Sequence, residues 1–258
     1  MAISETLALS AVMEPILQDT LPYDPVEKPL PGIAPLDPEQ WLIQDDAFTR
    51  QMALRDHLVA DRPGLVMAME QGAEPACHEL LNAVLEVLRE RPGYSVGQGH
   101  VTRPDGITVV LDPLDPLRML GRLVQEDFCI LEKPERAEEH VLTAAVLCFP
   151  AGWTLAEKIG RPLIRIHKPV ASYDPNIAKR VQRLFDGVQV GRPLWRFNAL
   201  DYQDPSLFQP RKEGVQKYGD PVERRFLRSE RQTLSRLPDT RAVVFGIHTF
   251  VTRKVDAP

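Results

Sequence analysis

Between Ala73 and Arg91, the residues Cys77, Leu80, Leu81, Val84, Leu85 and Leu88 recur every three or four positions. That spacing puts apolar side chains on one face of a helix, and Arg91-Pro92-Gly93 supplies its stop. An earlier helix is expected from Phe48 to about Ala60, with Asp45-Asp46 as its cap signal and Pro63-Gly64 closing it. A short helix is expected over Asp115–Val124, with Pro116 in its first turn. Leu155–Ile159 reads as a helical turn ended by Gly160. In Asn176–Phe185, Ile177, Val181, Leu184 and Phe185 share one side, and Lys179, Arg180 and Arg183 face solvent. Strands are predicted at Ile107–Leu111, Phe128–Glu132, Val141–Phe149, Leu194–Leu200, Phe226–Leu234 and Ala242–Val251. The short link Pro238-Asp239-Thr240 makes the last two an antiparallel hairpin. Strands that gather late, with helices before and between them, indicate an α+β fold with an antiparallel sheet flanked by helices.

Proline changes the picture at the N-terminus. Leu21-Pro-Tyr-Asp-Pro-Val-Glu-Lys-Pro-Leu-Pro-Gly32 and Ala34-Pro-Leu-Asp-Pro38 exclude a regular helix or a central strand. Residues 1–40 are therefore expected to form an extended arm that docks its Leu and Tyr side chains, ahead of a single domain over 41–258. The net charge of -5 argues against nucleic-acid binding, which needs a basic face. Cys77, Cys129 and Cys148 are widely spaced and form no CxxC pair, so they read as buried, reduced thiols. No apolar run approaches the ~20 residues of a membrane span, and no basic n-region with an apolar h-region opens the chain. The cytoplasm is the expected location. Neither a Gly-rich turn after a strand nor a GxSxG motif is present.

The polar residues of the hairpin are the main candidates for chemistry. Alternation puts Phe226, Arg228, Glu230, Gln232 and Leu234 on one face of their strand, and Ser229, Arg231 and Thr233 on the other. Glu230 and Arg228 are thus a better pair for one cavity than Glu230 and Arg231, unless the strand bulges. The alternatives are a carboxylate and guanidinium facing a ligand, or an edge strand with solvated charges. In Trp195-Arg196-Phe197-Asn198, Arg196 and Asn198 could anchor a ligand or pair with Glu230. His167, after an apolar run and before Lys168-Pro169, is expected in extended or turned backbone. It is open to three roles: ligand, base or satisfied buried group. Axial ligation of haem needs only one histidine and an apolar cavity, and no second histidine stands at zinc-pair spacing. His248 is expected to be structural, and Gln125-Glu126-Asp127 to be a helix end with solvated acids.

Several strings in order along the chain resemble one bacterial family. They are Leu36-Asp-Pro-Glu-Gln-Trp41, Gln125-Glu-Asp-Phe-Cys-Ile-Leu131, Leu142-Thr-Ala-Ala-Val-Leu-Cys-Phe-Pro150 with Trp153, Ile166-His-Lys-Pro-Val170, Pro193-Leu-Trp-Arg-Phe-Asn198, Asp204-Pro-Ser-Leu-Phe208 and Arg228-Ser-Glu-Arg-Gln-Thr-Leu-Ser-Arg-Leu-Pro238. The resemblance is to the haem-dependent oxidative N-demethylases, related to the α subunit of dimethylamine monooxygenase, and it runs from about residue 22 to the end. It implies a PAS-like haem-binding fold. It also implies hydroxylation of an N-methyl group by O2 and electrons, the carbinolamine then releasing a smaller amine and formaldehyde. FMN, a 2Fe-2S cluster and tetrahydrofolate are implied on partner subunits, with NADPH as electron source, so the chain is expected in an oligomer. His167 becomes the implied proximal iron ligand. Glu230 is the implied holder of a protonated amine, and Arg228 or Arg231 the group that polarises oxygen or meets a haem propionate. Arg196 and Asn198 are second candidates for these tasks. A PAS-type haem sensor of O2, NO or redox state is the alternative.

Overall fold

The structure is a computed structural model that describes residues 14–26, 32–135, 137–167, 175–215 and 224–254, with backbone alone at 175, 176 and 178. The expectations for residues 1–13 and 27–31 of the arm and for Lys168–Val170 fall outside the described residues. Helices α1 (Phe48–Asp61), α2 (Pro63–Val66), α3 (Glu74–Arg89), α4 (Pro116–Leu123), α5 (Leu163–His167) and α6 (Pro175–Gly187) accompany ten strands. These are β1 (Ala34–Pro35), β2 (Met67–Met69), β3 (Ser95–Gly97), β4 (His100–Thr102), β5 (Thr108–Val110), β6 (Asp127–Glu132), β7 (Val141–Val146), β8 (Leu194–Tyr202), β9 (Phe226–Arg236) and β10 (Val243–Arg253). Seven of them form one antiparallel sheet in the order β1-β8-β9-β10-β6-β7-β2, and β3-β4-β5 form a second sheet. The fold is α+β.

Period-2 alternation divides the large sheet into two faces. Phe128 and Ile130 of β6, Ala144 and Val146 of β7 and Val244 of β10 pack against Leu58, Val59, Leu80, Val84, Leu120 and Leu123 of α1, α3 and α4. Their neighbours Cys129, Leu131, Ala145, Leu234, Val243 and Ile247 face the other way. There they meet Leu163 and Ile166 of α5, Val181, Leu184 and Phe185 of α6, and Trp153. The sheet is therefore sandwiched between two helical layers. We call these the α1 face and the α5 face. A Cβ at Gly121 in α4 would lie 2.9 Å from Val146 Cγ2, so glycine there sets the close approach of that helix to β7.

Strand β9 lies between β8 and β10, so it is not an edge strand, and the solvated-edge alternative is removed. The short sheet β3-β4-β5 is an element of which only the third strand was anticipated. Tyr23, in the proline-rich stretch, sits on the α1 face: its ring stacks 4.7 Å from Phe197 and its hydroxyl lies 2.9 Å from Ser229 Oγ.

Gln125-Glu126-Asp127 is corrected most sharply. All three side chains are buried, because α1 and β10 supply partners that no local pattern shows. Arg55 of α1 donates to Asp127 Oδ1 at 2.6 Å and to the carbonyls of Gly121, Gln125 and Glu126. Asp127 also accepts from the backbone N–H groups of Cys148 and Phe149, at 2.7 and 2.8 Å. His248 is held between Glu126 (3.1 Å) and Asp45 (3.0 Å). Burial alone would lower the His248 pKa, but the two carboxylates raise it to about 9. Burial likewise opposes the Asp45 charge, and the bond and charge of His248, with bonds from Gln125 and Gln18, more than reverse this, leaving its pKa below the ordinary value.

Two outcomes follow from this network. Asp127→Asn leaves Arg55 buried without its counter-charge and is expected to cost about 3–5 kcal/mol, read from urea unfolding; a cost below about 1 kcal/mol would deny the pair its role. His248 has a folded pKa of about 9 against an ordinary 6.5, so its stabilisation is complete below the lower value and disappears as pH rises through the upper one. Unfolding free energy measured between those limits is expected to fall with pH in the wild type, and to fall less steeply in His248→Gln.

Candidate functional site

A cleft of about 190 Å³ opens on the α5 face, lined by Ala151, Trp153, Asn198, Leu200, Tyr202, Arg228 and Glu230. Strand register explains the grouping. Asn198 is opposite Glu230, Leu200 opposite Arg228 and Tyr202 opposite Phe226, so these residues of β8 and β9 project from one face. Extending the predicted β8 alternation by two residues beyond Leu200 would have found Tyr202. Ala151 and Trp153 come from the segment after β7, where no periodic signal exists.

Glu230 is the organised group of the cleft. Its Oε2 accepts from Asn198 Nδ2 at 3.1 Å and Gln232 Nε2 at 3.0 Å, and its backbone N–H donates to Asn198 Oδ1 at 3.0 Å. Arg196 Nη1 in turn donates to Gln232 Oε1 at 3.0 Å. Neutral amides therefore fix the carboxylate and stand between it and the guanidinium. Among the described residues Glu230 has no ion-pair partner, and its Oε1 takes no hydrogen bond. A carboxylate on a central strand without a cation is unusual, because burial next to a core favours paired charge.

Arg228 shares the cleft but is largely committed to backbone. It donates from Nη2 to Phe149 O at 2.7 Å and from Nη1 to Leu207 O at 3.0 Å and Ser206 O at 3.3 Å. Among the described residues its buried Nε has no partner. The residue thus ties the segment after β7 to the segment after β8, and places both at the cleft. Arg231 projects to the α1 face, donating to the carbonyls of Trp41 and Gln40, with Trp195 5.9 Å away. Glu230 and Arg231 do not meet in this cleft, because β9 runs through these positions without a bulge.

His167 does not line the cleft but sits on the same side of the sheet, at the end of α5. The backbone there is helical rather than extended: Ile166 N–H bonds Pro162 O, and the His167 ring nitrogen Nδ1 lies 2.9 Å from Leu163 O. A carbonyl can only accept, so Nδ1 carries the proton and Nε2 the lone pair. Burial pushes the ring pKa down, the Leu163 bond opposes this, and the nearby Lys158 charge adds to the fall. The ring is therefore neutral near pH 7. Lys158 also secures α5, donating to Ile166 O at 2.6 Å and to Glu213 at 2.8 Å.

A neutral imidazole with its tautomer set by a backbone carbonyl is the form in which histidine binds a metal axially. Burial drives the Cys77 and Cys148 thiols up to about 12 and raises Cys129 too, so none is a ready thiolate ligand. Among the described residues no group of three or more His, Cys, Asp or Glu gathers to hold a metal ion, and no helix is long and apolar enough to cross a membrane. The His167 ring thus fits a prosthetic group that needs one nitrogen ligand. Residues 32–256 match the family described as haem-dependent oxidative N-demethylase, alpha subunit-like, and the chain belongs to that family.

Proposed function

We propose that this chain is the haem-carrying subunit of an oxidative N-demethylase acting on a small secondary amine such as dimethylamine. Family membership supports oxidative N-demethylation in general and a multi-subunit assembly. The single observation that carries the finer reading is Glu230: a fixed carboxylate facing a cleft, with no ion-pair partner among the described residues. A protonated secondary amine carries the missing charge and two N–H donors for it.

In this reading His167 Nε2 holds the iron, with Nδ1–H on Leu163 O preventing the ring from turning. The haem supplies the O2 activation that the oxidation requires. Glu230 binds the ammonium group and so orients the substrate in the cleft. Asn198 and Gln232 hold its oxygen in place, and Trp153, Leu200 and Tyr202 provide apolar wall for N-methyl groups. Arg228 keeps the wall assembled through its three carbonyl acceptors. Arg196, one amide removed from the carboxylate, keeps Gln232 oriented. Electrons come from elsewhere, since the chain has no flavin fingerprint or cluster-binding cysteine set. Partner chains with FMN and a 2Fe-2S cluster are the proposed source, and a tetrahydrofolate enzyme the proposed acceptor of formaldehyde.

The visible spectrum of haem-supplied protein tests this reading, because an amine that reaches the site perturbs the Soret band. His167→Ala is expected to abolish haem loading or weaken it severely; full stoichiometry in that variant would assign the iron to another ligand. Glu230→Gln is expected to retain haem and weaken the amine-induced shift at least tenfold, the scale of one charge-assisted contact. An unaltered titration removes Glu230 from the amine site.

A further inference from the structure

Glu230 is proposed above to receive positive charge; a cation without a counter-charge among the described residues stands next to residues that line the same cleft. Arg211 lies on the segment that Arg228 ties down, and its place is fixed by a small backbone ladder. Gly152 N–H donates to Gln209 O at 2.9 Å and Gln209 N–H to Pro150 O at 3.1 Å. This lays the Arg211 guanidinium against the backbone of Gly152. A Cβ at position 152 would lie 2.1 Å from Arg211 Nη2 and 3.1 Å from Cζ, and Gly152 has φ +80, so glycine is required there twice over. Gly152 stands between Ala151 and Trp153, which both line the cleft, and the Arg211 charge also reaches Tyr202, a third lining residue.

Arg211 is half-buried, yet among the described residues it makes no hydrogen bond or ion pair. Two fully buried guanidinium groups, by contrast, meet carboxylates: Arg55 holds Asp127 and three carbonyls, and Arg103 holds Asp56 and Asp105. A guanidinium has five donors in a planar fork that matches a carboxylate. Holding it against a glycine at a cleft, without a partner, prepares it for an anion from outside.

We propose that Arg211 is a carboxylate-binding residue of this cleft. The proposal rests on the haem and amine reading given above. Two molecules could bring the carboxylate: haem, through a propionate, or an amine substrate bearing an acidic group, which would bridge Glu230 and Arg211.

The experiment compares wild type, Arg211→Met and Arg211→Lys, whose side chains disturb no bond within the described protein. In the first arm, hemin and hemin dimethyl ester are titrated into apo-protein and followed by quenching of tryptophan fluorescence. If a propionate is the ligand, the preference of wild type for hemin over its diester falls about tenfold in Arg211→Met. Lysine restores part of it, since it keeps the charge and loses the fork. In the second arm, dimethylamine and N,N-dimethylglycine are titrated into the haem-loaded proteins and followed at the Soret band. If the substrate brings the carboxylate, wild type prefers N,N-dimethylglycine and Arg211→Met loses that preference about tenfold. Unchanged preferences in both arms overturn the proposal. If wild type takes up neither porphyrin, the haem reading itself has failed, and the two amines titrated against apo-protein fluorescence then decide Arg211 by the same criterion.

Discussion

The buried contact between Arg55 and Asp127 is the constraint on which the rest of the molecule depends. It joins helix α1 to the first residue of β6, and Asp127 then reaches across to the backbone N–H groups of Cys148 and Phe149. Arg55 also sits 5.4 Å from the centre of the Phe149 ring. The carbonyl of Phe149 is in turn an acceptor for Arg228. One line of charge-assisted bonds thus runs from the core between α1 and the sheet to the cleft on the opposite face. Buried ion pairs add little stability over a well-packed apolar pair, but they define geometry, because each donor and acceptor must be met. Here what they define is the direction taken by the chain after β7, from which Ala151, Gly152 and Trp153 reach the cleft.

The two faces of the sheet divide the work. On the α1 face, the charged side chains meet partners within the chain: His248 with Asp45 and Glu126, and Arg231 with the carbonyls of Gln40 and Trp41, while Ser229 bonds Tyr23 and Asn198 O. On the α5 face, Glu230 and Arg211 are held in position but lack a counter-charge among the described residues. The contrast locates the site. Polar residues whose bonds all close within the chain belong to the architecture, and those held yet incompletely matched point to a ligand.

Much of this was legible in the amino-acid order. Three-residue and four-residue recurrence marked α3 and α6, cap and proline signals marked α1 and α4, and the short link at Pro238–Thr240 marked the β9–β10 hairpin. Alternation alone separated Arg228 and Glu230 from Arg231. Four things were not legible, each for a physical reason. The burial of Glu126 and Asp127 depends on Arg55, 72 positions from Asp127, and on His248, 122 positions from Glu126. Strands as short as β3, β4 and β5 have too few residues to show a period. The five-residue helix α5 is likewise shorter than two turns, so His167 read as the end of an apolar run rather than of a helix. Arg211 carried no signal of its own, because its place is set by the bonds of Gln209 and the missing side chain of Gly152.

The unbulged course of β9 has a bearing on how such a protein can diverge. Consecutive residues of this strand serve separate parts of the molecule: Glu230 looks into the cleft, while Ser229 and Arg231 secure the N-terminal segments on the other side. Replacement at an even-numbered position can therefore retune the pocket while the opposite seam keeps its contacts. Loss or gain of one residue exchanges the two sets at a stroke. Lineages that change their ligand are consequently free to vary the identity of side chains along β9, but not its length.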